Sequence, residues 1–172
     1  MRPALCLLIA SLTACSGLTD FDVEQPIPEQ RVQGSPIPGP LQVLFPLPLD
    51  LDLSAKIKKH TTGPIDSVTL SSLELKITDT SKPAGDTDDW SFVQEIRVFV
   101  KSSQSGSSLP RVEIARVNAP GAVTTMKFIV EDSVNLDPYV NEGSVIDTEG
   151  RGTLPADDVS YDGTGVFTVH PL

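Results

Sequence analysis

Val68-Thr69-Leu70-Ser71-Ser72-Leu73-Glu74-Leu75-Lys76-Ile77 decides how this chain is read. Apolar and polar residues alternate on both sides of Ser71-Ser72, the period of a strand with one buried face. The apolar positions are even before that pair (Val68, Leu70) and odd after it (Leu73, Leu75, Ile77). In an unbroken strand one half would face the core and the other would face water. A β-bulge at Ser71-Ser72 restores a common face, because one extra residue resets the alternation. A helix is the rival reading, but Val, Thr and Ile interleaved with polar residues favour strand.

The same period recurs outward. Leu49-Asp50-Leu51-Asp52-Leu53 alternates strictly and predicts a half-buried strand. The apolar residues 41–49 before it contain Pro46 and Pro48, which restrict them to a sheet edge or a lead-in strand. Residues 56–64 are read as a polar turn and residues 82–89 as a loop. Residues 90–100 form a long strand, with Phe92, Ile96, Val98 and Val100 on one face and Val93 and Phe99 on the other. After a Ser/Gly turn at 102–108, residues 111–117 and 126–130 alternate again, the latter with Met126, Phe128 and Val130 inward. Turns fall at Asn118-Ala119-Pro120-Gly121, Asp137-Pro138 and Asn141-Glu142-Gly143. Two last strands, 144–153 and 165–170, flank a loop at 155–162.

No stretch of helical length shows a 3.6-residue period. Seven to nine short strands at near-regular spacing predict an all-β domain, a single antiparallel β-sandwich of immunoglobulin-like type over residues 41–172. The Cys…Trp…Cys pattern of antibody domains is missing. A transmembrane barrel does not fit strands so few and short.

The N-terminus reads differently. Met1-Arg2-Pro3 precedes the apolar residues 4–10, and small residues follow, the pattern of a secretory signal rather than a spanning helix. Leu12-Thr13-Ala14-Cys15 resembles the lipobox of bacterial lipoproteins, in which the cysteine is diacylated on sulfur and becomes the new N-terminus. That resemblance implies a signal peptide over residues 1–14 and a lipid on Cys15. Ser16 takes the place where Asp resembles an inner-membrane retention signal, which implies the outer membrane of a Gram-negative cell. The alternating domain behind a Pro-rich segment is similar to uncharacterised secreted lipoproteins of such bacteria. Residues 73–77 and 92–100 bear a faint likeness to plant desiccation-protein sandwiches. Neither likeness carries a functional motif.

Residues 15–40 are read as the lipidated cysteine and its tether. Pro26, Pro28, Pro36, Pro38 and Pro40 exclude a helix or central strand. At about 3.1 Å per residue, an extended spacer of this length would reach about 75 Å. A proline-rich ligand for an aromatic groove is the alternative, and linker is preferred. Phe21, Val23, Ile27, Val32 and Ile37 are apolar beyond a spacer's needs, so part of the segment is expected along the domain as an edge strand or clasp.

Composition narrows the function. The net charge of the 172 residues is −10, and cleavage before Cys15 leaves 158 residues with 12 basic and 23 acidic side chains. Such a chain gains nothing electrostatically from nucleic acid or from anionic headgroups, and attachment to a membrane has to be apolar. Cys6 lies in the signal, so the mature chain keeps one thiol, too few for a disulfide or a cysteine metal site.

Candidate chemistry is sparse. A hydrolase triad would have to use His60, in a lysine-rich segment, or His170, two residues from the C-terminus, and no Gly-x-Ser-x-Gly elbow is present. The acidic loops offer Asp86, Asp88 and Asp89, and Asp157, Asp158 and Asp162, as oxygen ligands for calcium. Neither loop has EF-hand spacing, and acids that cap turns account for both. Glycosidase carboxylates would come from distant strands and leave no sequence mark. Trp90, at a loop-to-strand junction, is either a contact for a ligand or partner or a plug at the end of the sandwich, and the plug is preferred. Lys56, Lys58 and Lys59 are read as a solvated turn.

The expectation is therefore a non-enzymatic structural or interaction module without a cofactor, held at the outer membrane by acylated Cys15 and working with an envelope protein partner. A carrier for an apolar ligand, with residues 41–53 as the stretch lining its pocket, is the alternative. A calcium-assisted adhesion or carbohydrate-binding module is the second.

Overall fold

The structure, a computed structural model, describes residues 19–41, 45–80 and 87–172. Residues 12–15 and Asp86 lie outside them. The described chain is an antiparallel β-sandwich of eight strands: β1 (Phe21–Val32), β2 (Ile65–Thr78), β3 (Val93–Ser102), β4 (Val112–Asn118), β5 (Thr125–Lys127), β6 (Ile129–Val130), β7 (Ser144–Gly152) and β8 (Val159–Pro171). One sheet has the order β1-β8-β2-β5 and the other β6-β4-β3-β7.

The pairs β1·β8, β2·β5 and β3·β4 are nested along the chain. Residues 40–41 add a fourth nested contact against the end of β7, through the Pro40–Thr153 bridge and the Leu41 amide on the Gly152 carbonyl. A ribbon wrapped in this nested way is a jelly roll. The sandwich is thus the expected architecture, with the first and last strands side by side rather than in the ABED and CFG order of an immunoglobulin domain.

The bulge in β2 falls where the parity of the sequence changes. The register against β8 shifts between Leu70 and Ser72, and Val68, Leu70, Leu73, Leu75 and Ile77 are all buried. β4 repeats the device. Its register against β3 steps from Ala115 to Glu113, so Ile114 and Ala115 are both buried although they are consecutive.

Several local readings are corrected. β1 occupies the middle of the segment assigned to the tether, so the domain begins at Phe21 rather than at residue 41. The apolar residues noted there explain it: Val23, Ile27 and Val32 face the core. Pro26 and Pro28 are tolerated because β1 is an edge strand, with Pro28 inside a register shift.

Residues 49–53 alternate as expected, with Leu49, Leu51 and Leu53 buried and Asp50 and Asp52 exposed, but they form no strand ladder. Their backbone bonds are short-range, Leu49 to Leu47 and Leu53 to Leu51. Pro46 and Pro48 each remove a donor that a ladder would need.

Residues 56–60, read as a turn, belong to the helix α1 (Ser54–His60), anchored by buried Ile57. Lys58, Lys59 and His60 sit in its last turn, where the helix dipole favours cations. The two turns expected near 137–143 are one helix, α2 (Asp137–Glu142), closed by Gly143 at φ 94°. Both helices are too short to display a helical period in sequence. Trp90–Phe92 is a 3-10 turn leading into β3. Residues 126–130 split into β5 and β6, which belong to opposite sheets. The chain crosses between them at buried Phe128, whose amide bonds to the Leu73 carbonyl.

The space between the sheets is filled. Trp90, Leu53, Ile96, Ile114, Leu136, Tyr161 and Phe167 are fully buried there, and Phe45, Trp90, Phe92 and Tyr161 form an aromatic cluster with ring centroids 5.1–6.1 Å apart. None of the described helices is long and apolar enough to cross a membrane.

Candidate functional site

The end of the sandwich where β1 leaves the sheet carries a mostly apolar recess among the described residues. This recess of about 470 Å³ is lined by Val32, Leu41, Phe45, Pro46 and Leu154, with Arg31 and residues 33–35 on its rim. Its size falls in the range of small-molecule sites, and its walls are mostly apolar.

Local chemistry explains why the chain turns here. Residues 33–38 contain Gly34, Pro36 and Pro38, which end β1. A side chain on Gly34 would run into the backbone of Asp157, so only glycine permits this close approach. Asp158 then clamps the turn. One of its carboxylate oxygens accepts the Gly34 amide at 2.8 Å and the other pairs with the Arg31 guanidinium. The floor is held by two side-chain bonds to the 45–46 backbone: Thr148 Oγ1 donates to the Phe45 carbonyl at 2.6 Å, and the Tyr161 hydroxyl donates to the Pro46 carbonyl. Burial pushes the Tyr161 phenol well above its ordinary pKa.

The residues singled out in sequence are scattered relative to this recess. Asp158 is occupied by Arg31 and Gly34. Asp162 is exposed and stands beside Lys76 in the β8·β2 register. Asp89 caps the 3-10 turn, accepting the Ser91 amide at 2.9 Å. Among the described residues no three His, Cys, Asp or Glu side chains converge as a metal site would require. Cys15 and Asp86 are outside the described residues.

Trp90 is fully buried, its indole N–H donating to the Thr124 carbonyl at 3.2 Å, so it fills the core rather than presenting a contact surface. His60 stacks on Phe21 at 4.8 Å, and His170 pairs through Nδ1 with Asp20 at 2.9 Å. The two histidines thus have local partners at the end of the sandwich opposite the recess.

The outer face of the β6-β4-β3-β7 sheet holds a network that the alternation alone does not reveal. Phe99 points outward yet is only 6% exposed, because the guanidinium groups of Arg111 and Arg97 lie 3.4 and 5.0 Å from its ring centre. Arg111 also binds Asp147 at 2.9 Å and Glu149 at 2.8 Å, and Arg97 Nε binds Glu113 at 2.7 Å. Burial disfavours the Glu113 charge, but bonds from Arg97 and Arg116 outweigh it and hold the carboxyl below its usual range. Each of these charges has a partner within the network, which covers Phe99.

No family model and no curated protein sequence matches the chain. Among solved structures, a chain from turnip yellow mosaic virus is similar over 99% of this chain and 92% of its own, with 14% identity and a TM-score of 0.27. A chain from Desmodium yellow mottle tymovirus is similar over 100% of this chain and 93% of its own, with 11% identity and a TM-score of 0.21. Scores this low carry nothing over to this protein.

Proposed function

We propose that the mature protein is a lipid-anchored envelope module, held at the outer membrane through acylated Cys15 and acting by contact rather than catalysis. The observation that supports this most directly is the position of the strands. All eight described strands follow Cys15, β1 starting at Phe21, so processing before the cysteine leaves every one of them intact. The side chains packed between the sheets fit a rigid module.

A mass spectrum and membrane fractionation of the wild type beside Cys15→Ala, in a Gram-negative host, test this. The expected wild-type product begins at an acylated Cys15 and sediments with membranes, while the variant does not. A soluble, unacylated wild type would overturn the reading.

A second reading, binding of an apolar ligand, is favoured by the recess against Leu41, Phe45 and Pro46. Protein purified from the native host in mild detergent and then extracted with organic solvent should yield a stoichiometric apolar compound by mass spectrometry, and an extract holding none would overturn this reading.

A further inference from the structure

We propose that the α1 end of the sandwich is its membrane face, and that Lys58 and Lys59 there meet the phosphates of anionic lipid headgroups. The inference rests on acylation of Cys15 and specifies which surface that anchor brings to the bilayer.

Chain length carries the first part of the argument. Only residues 16–20 separate Cys15 from the first residue of β1. Six Cα–Cα steps span at most about 20 Å, so the start of β1 is held near the bilayer surface. A tether reaching 75 Å would leave the orientation free, whereas this short link sets it. β1 runs about 35 Å from Phe21 to Val32, which puts the recess end on the far side.

The residues around Phe21 define the membrane-facing tip. Phe21 pairs with Val169 in β8 and stacks on His60, the last residue of α1. Lys56 of α1 holds the helix to β1, donating to the Gln25 side chain at 2.6 Å and to the Glu24 carbonyl. Leu172, bonded through its amide to the Pro64 carbonyl, is 69% exposed at the same end.

Charge selects the partner. In a chain of net charge −10, Lys58, Lys59 and His60 are consecutive and exposed, and neither lysine holds an ion pair among the described residues. Of the acids nearby, Asp20 is engaged by His170 and Asp22 by the Thr168 hydroxyl, Asp137 lines one recess with Lys58 and accepts from Asn141, and Asp66 is exposed. Adjacent lysines, with an exposed leucine at the same end, fit a surface of phosphates over acyl chains.

The test uses the full-length lipoprotein, purified from membranes and reconstituted in vesicles. Acylation of Cys15 and removal of Cys6 leave one reactive thiol in each of two variants, Thr62→Cys beside α1 and Ile37→Cys at the recess end. Each receives an environment-sensitive fluorophore, and the vesicles carry a headgroup-bound nickel quencher. Quenching at position 62 is expected to exceed that at position 37 at least threefold. It should rise further when phosphatidylglycerol replaces part of the phosphatidylcholine, and Lys58→Glu with Lys59→Glu should abolish that rise. Equal quenching at both positions, or stronger quenching at 37, with the protein still bound to vesicles, would overturn the orientation alone. Insensitivity to phosphatidylglycerol would overturn the lysine contact. Protein that carries no acyl group and stays off the vesicles would overturn the anchor and this inference together.

Discussion

The hydroxyl of Tyr161, near the start of β8, donates to the carbonyl of Pro46 across the sandwich. Pro46 belongs to the stretch that lies in the core without a strand ladder, so its carbonyl depends on a side chain for a partner. The same phenol ring stacks on Phe45 at 5.1 Å, so one residue fixes both the ring and the backbone of this segment.

Tyr161→Phe keeps the ring and removes the donor. The bond is part-buried, and losing such a hydrogen bond costs about 0.5–1.5 kcal/mol, so chemical denaturation should show a loss in that range. The wild type should also lose stability as pH rises above about 10, the ordinary tyrosine value. The unfolded phenol ionises there, while the buried one, with its raised pKa, stays protonated. Tyr161→Phe should flatten that alkaline slope.

Deletion of Ser71 tests the bulge in β2. Without the extra residue Val68, Leu70, Leu73, Leu75 and Ile77 share one parity, so a regular strand keeps all five on the core face and the register against β8 runs on unbroken. The deletion variant should therefore keep a cooperative thermal transition, whereas a strand whose two halves faced opposite ways would lose it. Ser71→Gly, which keeps the length and loses only the Ser71 hydroxyl bond to the Val166 carbonyl, should fold.

Glu113 gives a dependence of opposite sign at acid pH. Its folded pKa is depressed, so it stabilises the fold above its unfolded value of about 4.5, and that contribution fades as pH falls through the folded value. Partly exposed pairs contribute about 0.2–1 kcal/mol. Glu113→Gln should be less stable than the wild type by about that much at pH 7. The difference should shrink toward pH 3 in urea titrations followed at each pH.

Much of the core was legible in sequence because strand burial has a period of two. Val68 to Ile77 carried its bulge openly, since Ser71-Ser72 separates two runs of opposite parity. β4 carried the same signal in fainter form: Val112 and Ile114 are even, while Ala115 and Val117 are odd. The switch falls between adjacent apolar residues, and the strand reads as simple alternation unless parity is counted. Arg111 and Arg97 over Phe99 left no mark, because a cation covering an outward ring depends on which strands are neighbours.

The fold class and the buried faces of residues 49–53, 68–77 and 93–100 were readable from sequence, because they follow from local periodicity. The sequence also contained the lipobox-like segment. Only the tertiary structure decided that residues 21–32 are a strand, since a proline-containing segment joins a sheet only where an edge receives it, and here β8, from the other end of the chain, supplies that edge. The same long-range pairing decided the jelly-roll order, the recess held by Thr148, Asp158 and Tyr161, and the closeness of α1 to the start of β1. Each depends on contacts between residues far apart in sequence, which no local pattern records.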